Sequence, residues 1–362
     1  MKKILLFILG FLILALAYLL LWPVPIAPQS WEPPANPGYV GVFATNTELA
    51  SLEFLDMGEE GPEDIAIKDG LIYAPSQTGK ILTYDLATGD VRNFADTGGI
   101  PLGVEFDDRG RLLVADAAKG LLRISSGGDV ETLLSEFDGA PIVYADDVDI
   151  ASDGTICFSD ASTKFGAVES GGTMEGSLLE LMEHGRTGRI LCTGPDGESP
   201  YVLLDDLSFS NGVAFTPENI LLVNVTGTYE TLRVTMDGTA TRFAGPYPGF
   251  PDNINPGPVI DGQPTYLVGL VSPRSDDLDA MADKPALRKM VQRLPASLRP
   301  KAVAYSHLVV LSTDGRILAS YQDPSGAYAS VTGGLVHNGQ LYLSSLTEHA
   351  IARRSAPELF TE

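Results

Sequence analysis

Along residues 39–362 apolar and polar positions change over in short runs. "GLIYAPS", "KILTYDL", "RLLVADA", "GLLRISS", "GTICFSD", "ILLVNVT", "HLVVLST" and "QLYLSSL" are each rich in β-formers and bounded by Gly, Asp, Asn or Pro. Such runs read as strands. Tight-turn signals separate them, among them "KDG", "ATGD", "DDRG", "SDG", "TDG" and "HNG", so adjacent runs pair as hairpins. A longer period lies above the hairpins. Copies begin at "GPEDIAI", "IPLGVEF", "YADDVDI", "FSNGVAF", "FPDNINP" and "SVTGGLV". Six repeats of four strands predict an all-β, six-bladed β-propeller, in which radial repetition leaves only short strand edges. The last copy lacks a clear outer strand, and residues 40–57 are expected to supply it and close the ring.

Two stretches depart from this pattern. Residues 4–22 carry no charge and follow Lys2 and Lys3. As a helix rising 1.5 Å per residue the run spans about 28 Å, close to a hydrocarbon core of ~30 Å. Residues 1–22 are therefore expected to be a transmembrane anchor with Trp22 at the interface. The lysines would stay cytoplasmic and the rest extracytoplasmic, whether periplasmic, luminal or extracellular. A cleaved signal peptide ending near "ALA" at 15–17 is the rival reading. Residues 23–38 are Pro-rich and read as a linker. The second departure is 275–298 inside the fifth repeat. There Leu287, Met290, Val291 and Leu294 fall at i, i+3, i+4 and i+7, a helical stripe. It reads as a lid over one propeller face, a membrane-facing helix or a packed surface insertion.

Composition narrows the partners. The formal net charge of -23 argues against nucleic acid, whose phosphates need clustered Lys and Arg, disfavours electrostatic docking on anionic lipid, and favours cations. Only Cys157 and Cys192 are present, too few for a disulfide framework. Two buried free thiols are the expectation, with one bond as the alternative in an oxidising compartment.

The repeat starts carry the candidate chemistry. In register they place Glu63, Leu102, Asp146, Asn211, Asp252 and Thr332 at equivalent positions. Innermost propeller strands line one axis, so these positions converge. Glu63, Asp146, Asn211 and Asp252 are oxygen donors, and Asn253 follows the last of them. Oxygen ligands from separate segments suit Ca²⁺, whereas zinc lacks its Cys or His. Three carboxylates in one channel would repel without a cation. In "GFPDNINP", Pro251 and Pro256 argue against the middle of a central strand and fix the approach of Asp252 and Asn253 to the channel. As turn or cap residues, the same side chains would have only a structural role.

These motifs together resemble the calcium-dependent six-bladed propeller hydrolases, which include the gluconolactonase/regucalcin family, paraoxonases and diisopropyl fluorophosphatase. The strictosidine synthase-like branch is the most similar, through "PLGV", "LLVADAAKGLLRI", "FSNGVAF", "GFPDNI", the helical insert and "HNGQLYLSSL". The resemblance implies calcium bound by Glu63, Asp146, Asn211 and Asp252 with Asn253 nearby. It makes Asp252, with Asp146, a candidate catalytic base or nucleophile acting on a small lactone, aryl ester or organophosphate. Position 146 is usually Asn in these families, and a paraoxonase-like histidine is replaced by Leu102. His184, His307, His337 and His349 lie elsewhere. The glutamate of the alkaloid-forming synthase corresponds to Thr332, so alkaloid synthesis is not expected. The expected function is a membrane-anchored, calcium-dependent lactone or ester hydrolase. Alternatives are a propeller with structural calcium serving as a binding or scaffold module, and a carbohydrate-binding propeller using aromatics of "TKFGAV" and "AGPYPGF".

Overall fold

The computed structural model describes residues 2–360. The first residue of the anchor range and the last two of the propeller range fall outside it. The turn signals close six four-stranded antiparallel sheets, and the first strand of each packs beside its counterparts in neighbouring sheets. These innermost strands are Ala66–Lys68, Pro101–Phe106, Ala145–Ile150, Ser210–Phe215, Gly249–Pro256 and Val331–His337. Burial falls outward. In the second blade Leu112–Asp116 is wholly buried, whereas the outermost Val130–Leu134 is exposed along its first half. The hydrophobic core therefore lies between blades, as in the cluster joining Cys157, Ile190 and Leu203 of the third blade to Val213, Leu221 and Val223 of the fourth.

Ring closure follows the sequence reading. Glu53–Asp56 pairs antiparallel with Ala350–Ser355 and supplies the outer strand of the sixth blade. "GFPDNINP" is a strand, but an innermost one with a single sheet neighbour. Proline is compatible with that edge, and the ladder slips between Pro251 and Ile254. The cysteines differ from expectation. Cys157 and Cys192 stand directly opposite on adjacent strands, 4.1 Å apart at Cα, and are disulfide-bonded.

Helices gather above one end of the channel. α1 (Lys2–Leu21) is the apolar N-terminal helix, with none of its residues buried against the propeller. α2 (Ala167–Ser170) and α3 (Thr173–Glu183) interrupt the third blade, an insertion the sequence reading did not anticipate. α4 (Asp276–Asp279) and α5 (Pro285–Gln292) lie in the expected 275–298 insert. Ser275 caps α4 by accepting from Leu278 N, and a proline opens α5.

The Pro-rich segment 23–38 runs between these helices as a strap. Ile26 is buried in a cluster with Phe165, Met182, Phe250, Leu278 and Met281. Trp31 stacks on His184 with ring centroids 3.9 Å apart. Two arginines hold its backbone, and a third holds the Trp22 carbonyl just before it. Arg274 donates to Pro34 O (2.8 Å), and Arg293 donates to Trp22 O (2.5 Å). The wholly buried Arg288 donates to Gln29 O on the strap, to Met182 O and Glu183 O at the end of α3, and to Ala282 O in the insert. One guanidinium fork thus ties three segments, a geometry lysine cannot reproduce. Arg288→Met is expected to leave these carbonyls unpaired and lower stability by about 2–4 kcal/mol. Denaturant unfolding checks the loss, and limited proteolysis should show new cleavage within 23–38.

Candidate active site and cation site

The six aligned positions sit at one level of the channel mouth, and a backbone irregularity puts them there. The innermost ladders slip at 101–104, 145–148, 210–213, 251–254 and 331–334. A bulge re-aims side chains at the end of a strand, and each slip contains an aligned residue and its successor. Together with Glu63–Asp64, which precede the first innermost strand, the pairs read Glu-Asp, Leu-Gly, Asp-Asp, Asn-Gly, Asp-Asn and Thr-Gly. Odd blades carry two polar side chains. Even blades carry a glycine second. That glycine is where the blades touch: a Cβ on Gly103 would lie 2.6 Å from Asp147 Cα, and one on Gly212 would lie 2.5 Å from Asn253 Cα. The glycines of the even blades make room for the acidic bulges of the odd ones.

Within a pair the two side chains divide the work. The first faces the mouth: Glu63, Asp146, Asn211 and Asp252 floor a cavity of about 520 Å³, with Leu102 beside them. The second stitches blades. Asp64 accepts from Val104 N (3.0 Å) and Asp147 from Val213 N (2.7 Å), each in the next blade. Asn253 reaches from the fifth blade to the first, donating to Glu63 O (3.1 Å) and Glu63 Oε1 (3.0 Å). Thr332 donates to the same Glu63 carbonyl (2.5 Å) and is wholly buried. The carbonyl of Asp252 accepts from Asn224 Nδ2 (2.7 Å) and that of Pro251 from Thr226 Oγ1 (2.7 Å). The sequon "NVT" at 224–226 is therefore an internal brace.

The structure brings Glu63, Asp146, Asn211 and Asp252 together at one cavity. Asp252 and Asp146 are slightly open to the cavity, whereas Asn253 is fully enclosed and acts on Glu63. Sequence reasoning missed Asp64 and Asp147. Their signal was the residue following each aligned position. Leu102 stands where a histidine was the alternative, and neither His184 nor His307 lines the cavity. His184 shares a hydrogen bond with Ser208 (2.9 Å), and His307 with Ser320 (2.8 Å). Burial pushes both imidazoles down to about 3, so they are neutral. Phe165, Tyr247 and Phe250, the aromatics of the carbohydrate alternative, are buried rather than displayed.

The carboxylates strain against one another. Burial, then repulsion from Asp252, Asp146 and Asp64, pushes Glu63 well above the carboxylate range. Burial and the charge of Asp252 do the same to Asp146. Burial raises Asp252 to about 7 despite favourable contacts from Glu63 and Asn211. Among the described residues no three His, Cys, Asp or Glu side chains form a metal cluster by themselves. The set is mixed instead. Glu63 Oε2, Asn211 Oδ1, Asp252 Oδ1 and Asn253 Oδ1 are buried and lack any hydrogen-bond donor. Four orphaned oxygen acceptors, two carboxylate and two amide, suit a hard cation such as calcium.

The cavity above this floor is apolar. Tyr144, Phe209 and Phe250 come from blades, Leu178 and Met182 from α3, and Leu278 from the insert. The 275–298 insert is thus a wall of the site. Gln292 and Ala296 reach the cavity from it, with Arg299 and Lys301 just beyond.

Two family models match the chain, strictosidine synthase-like, N-terminal, over residues 41–84 and strictosidine synthase over residues 146–235. The adipocyte plasma membrane-associated protein of Rattus norvegicus is 30% identical, covering 94% of this chain and 95% of its own. The chain belongs to the strictosidine synthase-like family. A second relative in the family, protein strictosidine synthase-like 4 of Arabidopsis thaliana, is 30% identical over 84% of this chain and 82% of its own. Among solved structures, a gluconolactonase from Xanthomonas campestris superposes with TM-score 0.60 at 17% identity, covering 93% of this chain and 99% of its own. A calcium-binding protein, regucalcin, from Agrobacterium tumefaciens gives 0.56 at 14% identity, covering 85% and 96%. Likeness at that identity establishes the shared six-bladed fold.

Lower in the channel, Glu105 is pushed up to about 8 by burial and then by the charge of Asp149. A carboxyl raised in the folded state is harmless below its unfolded value near 4.3 and destabilises as pH rises toward 8. In chelator-treated protein, Glu105→Gln is therefore expected to gain stability over the parent by about 1–3 kcal/mol more at pH 8 than at pH 5. Thermal melts at the two pH values check this. An equal effect at both would place Glu105 in an ordinary aqueous environment.

Proposed function

We propose that this protein is a membrane-anchored, calcium-dependent hydrolase of lactones or esters. The observation that carries this reading is the floor of the cavity, where buried oxygen acceptors without donors on Glu63, Asn211 and Asp252 lie beneath apolar walls, with a fourth on the enclosed Asn253. Glu63, Asn211, Asp252 and Asn253, with the Asp146 carboxylate, would hold the ion. Calcium bound there would supply positive charge to a carbonyl or phosphoryl oxygen and lower the repulsion among the carboxylates. Asp252 would be the acting residue. Its carboxylate faces the cavity, and its backbone is locked through Asn224 and Thr226. It would take the proton of an attacking water or attack the carbonyl itself. Asp146, on the third blade's bulge, also opens to the cavity and would orient that water. Asn253 and Thr332 position Glu63 without reaching the substrate. The apolar walls exclude competing water and take the hydrocarbon portion of the substrate. The relative named as plasma membrane-associated and the apolar α1 support the anchor. The neighbours named as gluconolactonase and calcium-binding regucalcin support the chemistry.

A scaffold reading, with calcium only stapling the blades, uses the same donors. The open cavity above them favours hydrolysis. Calorimetry on full-length, chelator-treated protein in detergent should find one calcium site, weakened in Asp146→Ala and Asp252→Ala. Asp252→Asn should retain most calcium affinity yet lose at least a hundredfold in kcat against lactones and aryl esters. No calcium binding would end this reading, and full turnover in Asp252→Asn would remove its catalytic role.

A further inference from the structure

The wall of the cavity is also the part of the propeller that meets α1. Helices leave their last carbonyls without intrahelical partners. Arg293, one residue beyond α5, takes two such groups at the end of α1, donating to Leu19 O (2.9 Å) and Trp22 O (2.5 Å). Tyr18 returns a hydrogen bond to Arg293 O (3.0 Å). The helix end is thus fixed to the insert. Pro25 lines the cavity only four residues after Leu21, a reach of at most about 14 Å. A bilayer around α1 would lie against this face.

The composition of that face fits such a neighbour. Residues 284–301 hold Lys284, Arg288, Lys289, Arg293, Arg299 and Lys301 and no Asp or Glu, in a chain of net charge -23. Arg288 and Arg293 are buried in holding the strap and α1. Lys284, Lys289, Arg299 and Lys301 remain at least partly exposed. Leu287, Leu298 and Val303 project among them, with Leu298 66% and Val303 56% exposed. Basic groups interleaved with exposed apolar ones are the pattern of a segment lying in a headgroup layer, and each Lys or Arg near an anionic surface adds attraction. Gln292, Ala296, Arg299 and Lys301 also edge the cavity, so one side of the cavity borders this same patch.

We propose that segment 284–303 rests on anionic lipid headgroups and that the cavity is filled from that surface, by an amphiphilic ester or lactone bearing an apolar chain. The chain would lie along Leu178, Met182, Phe209 and Leu278, with the reacting carbonyl at the Asp252 floor. The inference rests on the anchored-hydrolase reading and names its substrate class.

Because Cys157 and Cys192 are bonded to each other, a cysteine introduced by Leu298→Cys is the sole free thiol for a polarity-sensitive fluorophore. Val91→Cys, on the outer strand of the first blade, serves as reference. Full-length protein is placed in phosphatidylcholine vesicles with or without phosphatidylglycerol. The 298 label should be blue-shifted and quenched by brominated lipid at least twice as strongly as the 91 label, more so with phosphatidylglycerol. Equal quenching at the two positions would overturn delivery from the membrane. In parallel, kcat/KM for p-nitrophenyl esters should rise about fourfold per methylene from four to eight acyl carbons. A flat series would overturn the substrate class. If no ester or lactone is turned over, hydrolysis fails alone. Calorimetry with ten-carbon and four-carbon γ-lactones then decides: more than tenfold tighter binding of the longer one upholds the inference, and equal binding overturns it.

Discussion

The channel mouth packs like charges against one another, and the alternation of blade types makes that contact feasible. Glu63-Asp64, Asp146-Asp147 and Asp252-Asn253 enter from odd blades. Gly103 in the second blade leaves space for Asp146-Asp147, and Gly212 in the fourth for Asp252-Asn253. Neither half works alone. Without the glycines the acidic bulges would collide with the neighbouring backbone. Without the acidic residues the unpaired N–H groups of Val104 and Val213 would face the channel with no acceptor. Burial and then mutual repulsion hold Glu63 and Asp146 well above ordinary carboxylates, and that repulsion is what a cation would relieve.

The propeller was legible because each blade repeats the same strand-turn grammar, and because the aligned starts "PEDI", "PLGV", "ADDV", "SNGV", "PDNI" and "VTGG" share one register. Glu63, Asp146, Asn211 and Asp252 followed from that register, and Asn253 from the proline-bracketed stretch around Asp252. The residues doing the stitching did not. Asp64 and Asp147 look like turn residues until the bulge makes two successive side chains leave in different directions. The helices of the third blade were hidden for a different reason. Between Ile156–Asp160 and Gly188–Thr193 the chain runs through "SGGTMEGSLLELMEHG", where glycines at both ends suggest a loop. That insertion also concealed the disulfide, since residues 35 apart in sequence do not announce themselves as cross-strand neighbours.

The cap over the site is assembled from segments distant in sequence. The strap, the end of α3 and the insert share the fork of Arg288, and the insert grips α1 through Arg293. Hydropathy identified α1 and periodicity identified the insert. Neither could show that they meet, because the contact is made by backbone carbonyls that carry no sequence signature. The Pro-rich composition of 23–38 suggested an extended spacer. Its backbone is instead read by Arg274 at Pro34 and Arg288 at Gln29, with Arg293 at Trp22 just before it.

The sixth blade takes its outer strand from Glu53–Asp56 and its other three from the far end of the chain. This clasp orders events during biosynthesis. Residues 53–56 leave the ribosome well before their sheet partner Ala350–Ser355 is made. Until then five blades can form while the ring stays open. The long sequence separation makes the final closure slow relative to the hairpins. A nascent chain would spend that interval with an unpaired strand edge, the species most prone to mispair with a neighbour.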